Sequence, residues 1–181
     1  MSNPARVVVL AEDSRHQQFV RRVLNRLGYQ TQEIRFLPLP AGKGSGEQYV
    51  RNKYAAEVIE HRRRAARAEK AFVVIIDADN RSVAQRQEQF AAELTAAARL
   101  PRHDFERICH LIPKRHVETW IFCLNGESVD ETASYRTRQI NPTDVNSAAL
   151  AFFEWSRPGA TPPSQCLPSL AGAFSEIRRL D

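Results

Sequence analysis

Residues 71–81, AFVVIIDADNR, decide the fold: five apolar residues, Phe72 to Ile76, run directly into two aspartates one residue apart, Asp77 and Asp79. So continuous an apolar run does not suit a strand with one wet face, and it predicts a central strand covered on both sides. The two carboxylates then stand at its carboxyl end, the edge where open α/β sheets bind ligands. Paired hard oxygens there suit Mg²⁺ or Mn²⁺. The competing reading is a solvated strand-to-helix turn in which Asp79 or Ser82 caps the next helix.

Upstream, residues 6–11, RVVVLA, form a second β-branched run that ends in the acidic pair Glu12 and Asp13. It predicts another buried parallel strand with carboxylates at its end. Ser14 is the expected cap of a helix carrying Phe19, Val20, Val23, Leu24 and Leu27, which Gly28 stops. Residues 29–39 predict a less regular strand closed by Pro38 and Pro40. The loop 41–47, AGKGSGE, does not match a P-loop, but Lys43 among its glycines could approach a phosphate. Residues 48–70 predict a helix with Tyr49, Val50, Tyr54 and Val58 on one side. Its basic run, including Arg51, Arg62 and Arg63, is either a solvated face or a phosphate-contacting one.

Downstream, residues 83–100 predict a helix closed by Pro101. A further core strand, 107–113 (RICHLIP), delivers Lys114, Arg115 and His116 to its end, and the apolar helix 117–124 (VETWIFCL) carries Glu118 in its first turn. Past residue 126 the chain is polar, then helical over 148–155, proline-rich over 157–168 and amphipathic over 169–180. The expected organisation is a domain over 1–125 with a small helical C-terminal extension, 126–181, docked on it.

At 181 residues, 43% apolar and 26% charged, the chain has the composition of a globular domain. A net charge of +5 tilts the expected partner towards an acidic one such as nucleic acid. Cys109, Cys123 and Cys166 are odd in number and widely spaced, which indicates neither a disulfide framework nor a zinc site. The apolar run after Arg6 is too short for a signal peptide or a membrane span. A cytoplasmic protein with no membrane attachment is expected.

Alternating strands and helices predict an α/β fold with a mainly parallel, Rossmann-like sheet and helices on both faces. Right-handed crossovers then bring Glu12, Asp77 and Asp79 to one edge. Carboxylates gathered in one cleft repel each other unless a cation joins them, so a divalent metal is the expected cofactor. Lys114 and Arg115 are candidate phosphate clamps beside it. No Ser/His/Asp set or Cys/His pair stands at a recognisable motif, so nucleophilic side-chain catalysis ranks low.

At these residues the chain resembles a Toprim-type domain, the metal-binding module shared by topoisomerases, DnaG-type primases and OLD-family nucleases. The family's glutamate after the first strand is matched by Glu12 in LAEDS, and its DxD by Asp77 and Asp79 in IIDADN. Residues 114–124, KRHVETWIFCL, resemble the acid-aromatic helix of RloB-like and other small Toprim proteins of bacterial phage-defence loci. The resemblance covers about residues 6–125. It implies a Toprim-like fold and a nuclease or related phosphodiester-processing enzyme acting on DNA or RNA. Glu12, Asp77 and Asp79 would hold Mg²⁺ or Mn²⁺, with catalytic roles for Glu12, Lys114 and Glu118 and nucleic-acid contacts from Lys43, Arg51, Arg62, Arg63 and Arg115. A partner ATPase or other defence-system protein is also implied. The chain departs from the pattern at Asp13, where family members often have glycine, and at Arg81, where a further acid often stands.

Two other classes compete. VVVLAEDS followed by an amphipathic helix resembles the start of a response-regulator receiver, with Asp77 as phosphoacceptor and Lys114 as its later lysine. However, 65 residues separate Glu12 from Asp77, where receivers leave about 40. The other is a non-catalytic Toprim-like subunit that binds nucleic acid or a partner within a defence complex.

Overall fold

The computed structural model describes residues 5–42 and 45–181. Four strands, β1 (Val7–Ala11), β2 (Ile34–Phe36), β3 (Ala71–Ile75) and β4 (Ile108–Leu111), form one parallel sheet in the order β2-β1-β3-β4. All five residues of β3 are buried, as a strand with no wet face requires. The connection from β1 runs outward to β2 through α1 (Ser14–Arg26), and the next returns over β1 to β3 through α2 (Gly46–Ala65). The strand order therefore reverses between β1 and β3. In open α/β sheets the crevice at such a reversal is the natural ligand site, and Glu12 and Asp77 lie just beyond these two strands.

The pleat sends alternate residues of β1 and β3 into two separate cores. Leu10, Phe72, Val74 and Ile76 pack with Val50, Tyr54 and Val58 of α2 and with Phe90 and Leu94 of α3 (Val83–Ala96). Val7, Val9, Val73 and Ile75 pack on the other face with α1, α4 (Val117–Leu124), α5 (Pro142–Ser156) and α6 (Pro168–Ile177). Phe19 of α1, Trp120 of α4 and Phe152 of α5 meet at ring-centroid distances of 5.6–6.3 Å. Burying each of the two phenylalanines stabilises the fold by about 1.5–3 kcal/mol. The α/β class, the parallel sheet and the helices on both faces are as the sequence pattern predicts.

Residues 126–181 share this core through Val145, Ala148, Phe152, Leu170 and Phe174. They also close the exposed edge of β4, a place where unpaired backbone groups would otherwise face solvent. Glu176 accepts from the N–H of His110 at 2.8 Å and is gripped by Arg102, which also donates to the carbonyl of Ile108 at 2.8 Å. Among the described residues no helix is long and apolar enough to cross a membrane.

The second strand is shorter than expected because a 3₁₀ turn at Thr31–Glu33 takes its first half, held by reciprocal hydrogen bonds between Gln30 and Glu33. The fifth helix starts six residues before the expected 148, where Asn141 and Asp144 form a capping box ahead of Pro142.

Helix α2 begins against the candidate site. A Cβ at Gly46 would lie 2.5 Å from the carbonyl oxygen of Glu12 and 2.7 Å from its Cγ, so only glycine lets the helix start there. Elsewhere in a helix alanine would gain about 1 kcal/mol over glycine. Here overpacking against backbone outweighs that gain. Gly46→Ala is expected to lower stability by about 1–3 kcal/mol in urea denaturation. A variant more stable than wild type would show that this contact is loose.

Candidate metal centre

Glu12 and Asp77 are held by continuation of the sheet ladders. The N–H of Glu12 donates to Ile75 O at 3.2 Å, while Ile76 and Ala78 donate to Leu111 O and Pro113 O at 3.2 and 2.7 Å. Asp77 is thus clamped on both sides, and its own N–H donates to Glu12 Oε2 at 3.0 Å. The two acids stand beside each other because their strands do.

The Asp77 carboxylate is only 1% exposed and needs partners to stay ionised. Its Oδ1 lies 2.9 Å from His16 Nε2, and its Oδ2 lies 3.5 Å from His116 Nδ1 and 3.4 Å from Arg136 Nη2. Asp13 caps α1 through the N–H of His16 at 3.0 Å and holds His16 Nδ1 at 2.8 Å. His16 therefore faces a carboxylate from each ring nitrogen. Only the doubly protonated ring can donate to both.

The titration shifts follow from this arrangement. Burial opposes charge on His16, but Asp77 and Asp13 outweigh it and hold its pKa well above the ordinary histidine value. Burial likewise opposes ionisation of Asp77, yet His16 and His116 hold it below the usual carboxylate range. Asp13 is also held low: hydrogen bonds from His16 overcome its burial. Glu12 goes the other way. Burial first, and then the Asp77 charge, push it up to about 7.

The second aspartate sits in a pinned turn. Asp79 has φ of 56°, a left-handed conformation that aspartate tolerates better than most residues. Lys114 Nζ ties the turn by donating to the carbonyls of Asp79 and Arg81 at 3.1 and 2.8 Å, and Arg115 Nη1 donates to Asn80 Oδ1 at 2.7 Å. Ser82 then caps α3 with Gln85. Beside the turn is a cavity of about 440 Å³, lined by Asp79, Asn80, Arg81 and the buried Arg86, which donates to Glu47 at 2.6 Å.

Two overlapping groups can offer ligand atoms within 4.8 Å of one another: Glu12, His16 and Asp77, and Asp77, Asp79 and His116. The carboxylate oxygens fit a divalent cation in donor chemistry, and an imidazole nitrogen would join them only on losing its proton. Such a cation would favour the ionised form of Glu12, which burial first and the Asp77 charge second now oppose.

Of the three acids singled out from sequence, Asp77 shares one group with Glu12 and the other with Asp79, and the other residues are placed differently. Lys114 donates twice and Arg115 once into the Asp79 turn at the site's edge. Glu118, half-buried in the first turn of α4, belongs to neither ligand group. Arg51 pairs with Glu93 at 2.9 Å and Glu47 at 3.7 Å, Arg62 with Glu106 at 2.6 Å, and Arg63 with Glu60 at 2.7 Å, so these arginines serve internal ion pairs. Arg62 and Arg63 also lie at the far end of α2, about 24 Å along the helix from Gly46. Lys43 lies outside the described residues. The cap of α1 is Asp13 and not Ser14. Asp77 and Lys114, the phosphoacceptor and lysine of the receiver alternative, are respectively 1% exposed and bonded to the carbonyls of Asp79 and Arg81.

His16 and Arg136 are the partners that sequence reasoning missed, while the sequence places His116 at its strand end without giving it a role. His16 had a readable signal, since it stands one helical turn after the acids that end β1. Comparison with family models, curated proteins and solved structures finds no match.

Glu12 has a folded-state pKa of about 7 against an ordinary 4.5, so its stabilising contribution is complete below pH 4.5 and is lost as pH rises through about 7. Glu12→Gln keeps an oxygen to accept the Asp77 N–H and removes that loss. Without added metal, the variant is expected to exceed wild type by on the order of 3 kcal/mol near pH 8.5 and to match it below about pH 4.5. Denaturation curves whose difference does not change with pH would contradict the assignment.

Proposed function

We propose that the protein is a divalent-metal-dependent enzyme that cleaves or otherwise processes phosphodiester bonds in nucleic acid, with Glu12, Asp77 and Asp79 as ligands for Mg²⁺ or Mn²⁺. The observation that carries this reading is the convergence of these carboxylates at the strand-order reversal, with ligand atoms of each group within 4.8 Å. When bound, such an ion supplies Lewis-acid polarisation of a phosphoryl oxygen and a more acidic water. Glu12, which accepts the N–H of Asp77, would serve as a ligand or as the general acid/base at the site. His16 orients Asp77 through one ring nitrogen while Asp13 fixes the other. Lys114 and Arg115 keep the Asp79 turn in place. The net charge of +5 is compatible with a DNA or RNA substrate. An anti-phage role and a partner ATPase or other defence protein enter this reading through the Toprim resemblance alone, and a cytoplasmic setting through the unpaired cysteine pattern and the short N-terminal apolar run.

One observation favours a second reading, a non-catalytic nucleic-acid- or partner-binding subunit. Both Asp77 oxygens already have side-chain partners, and the cations cast as phosphate clamps are engaged elsewhere.

A titration of Mg²⁺ and Mn²⁺ against single- and double-stranded DNA and RNA separates the two. Metal-dependent cleavage is expected, falling at least about 100-fold in Asp77→Asn while circular dichroism stays native. Cleavage untouched by Asp77→Asn and Glu12→Gln would refute the site. Binding without cleavage under every divalent metal would favour the second reading.

A further inference from the structure

A cluster of acids repels the phosphate it is meant to process, so a phosphodiester needs a cation from the protein as well as any metal. Lys114 donates to the carbonyls of Asp79 and Arg81 and Arg115 makes one bond to Asn80, neither donating to Asp77, and Arg86 is buried against Glu47, Gln89 and the carbonyl of Ala78. Arg81 is exposed and lines the neighbouring cavity, away from Asp77. Arg136 is different. It comes from the polar segment between α4 and α5, and its single hydrogen bond among the described residues is the 3.4 Å contact from Nη2 to Asp77 Oδ2. Its side chain is 52% exposed, whereas Asp77 is 1% exposed. One end of the guanidinium therefore meets the buried acid while the side chain remains open to solvent.

The segment is built to hold Arg136 there. Two residues on, Arg138 stacks 3.8 Å above the Phe122 ring and forms paired bonds to Glu127 at 2.8 and 3.1 Å. One residue before, the Tyr135 ring meets Phe122 edge-on at 6.0 Å, and its hydroxyl accepts from the N–H of Asp130 at 3.0 Å. Anchors on either side fix the backbone, and Arg136 itself fills no core.

We propose that Arg136 is the phosphate-binding residue of this site: it screens Asp77 in the free protein and takes a phosphodiester oxygen of single-stranded nucleic acid when substrate enters. This rests on the phosphodiester reading above. A guanidinium suits both tasks because it presents five donors in a planar fork, and one contact to Asp77 leaves the rest to meet a phosphate. The C-terminal segment would then supply part of the functional site as well as covering β4.

The test compares wild type, Arg136→Ala and Arg136→Lys for Mn²⁺ binding by calorimetry and for binding of single-stranded DNA and RNA oligonucleotides, with and without Mn²⁺, over a salt series. Arg136→Ala is expected to weaken oligonucleotide binding about 10-fold or more. It should also reduce the salt slope by about 0.7, the loss of one phosphate contact, with Mn²⁺ affinity equal to or tighter than wild type. Arg136→Lys should restore the slope but only part of the affinity, since it lacks the fork. Whether DNA or RNA shows the larger effect identifies the nucleic acid. Arg136→Ala that binds both oligonucleotides within twofold of wild type overturns the proposal, as does a wild type that binds neither. Loss of Mn²⁺ binding together with a lowered Tm in Arg136→Ala also overturns it, in favour of a structural pin. Wild type that ignores Mn²⁺ removes the metal reading, while the metal-free oligonucleotide series still decides the role of Arg136.

Discussion

The structure around the sheet edge depends on keeping one carboxylate, Asp77, charged and almost wholly buried. Its closest side-chain partner is the His16 ring at 2.9 Å, itself charged through contact with Asp13. A buried charge without partners costs several kcal/mol, so the pair stands or falls together. The chain Asp13, His16, Asp77 links the first turn of α1 to the end of β3 and fixes both relative to Glu12. His116 and Arg136 complete the shell from β4's far end and from the C-terminal segment. Residues from four separate stretches of chain thus meet at one side chain.

The topology makes this possible. Parallel pairing puts the β1 and β3 exits on the same edge, and the strand order reverses between them. Gly46 keeps α2 close to Glu12 without touching its side of the crevice, and Lys114 with Arg115 holds the left-handed Asp79 turn. The resulting arrangement is preorganised by contacts outside the acids themselves. That is the usual condition for a site whose ligands must be held against mutual repulsion.

Much of this was legible in residues 6–13 and 71–79. Two uninterrupted β-branched runs, each ending in acids, can hardly be anything but adjacent buried strands, and parallel pairing then dictates that Glu12 meets Asp77. The helical spacing of Phe19, Val20, Val23 and Leu24 was equally plain. Side-chain partnerships were not, because they depend on which way a residue leaves its turn. His16 looks like any polar residue in a first helical turn until Asp77 is placed beside it. Arg136 carries no local signal, since its position follows from Phe122 and Glu127 holding its neighbours. The arginines of α2 left two readings open in the sequence. A run of cations reads as a solvated or a phosphate-contacting face; Glu47 and Glu60 pair with Arg51 and Arg63 within the helix, whereas the pairing of Arg51 with Glu93 and of Arg62 with Glu106 appears only once the helix is packed.

The most direct measurement is anomalous diffraction at the manganese edge from crystals equilibrated with Mn²⁺ near pH 7.5, where Glu12 is mostly ionised. A peak within about 2.6 Å of carboxylate oxygens from both Glu12 and Asp77, with Arg136 moved off Asp77, is the expected result. An empty edge at saturating Mn²⁺, with His16 and Arg136 still closed on Asp77, would contradict the metal site.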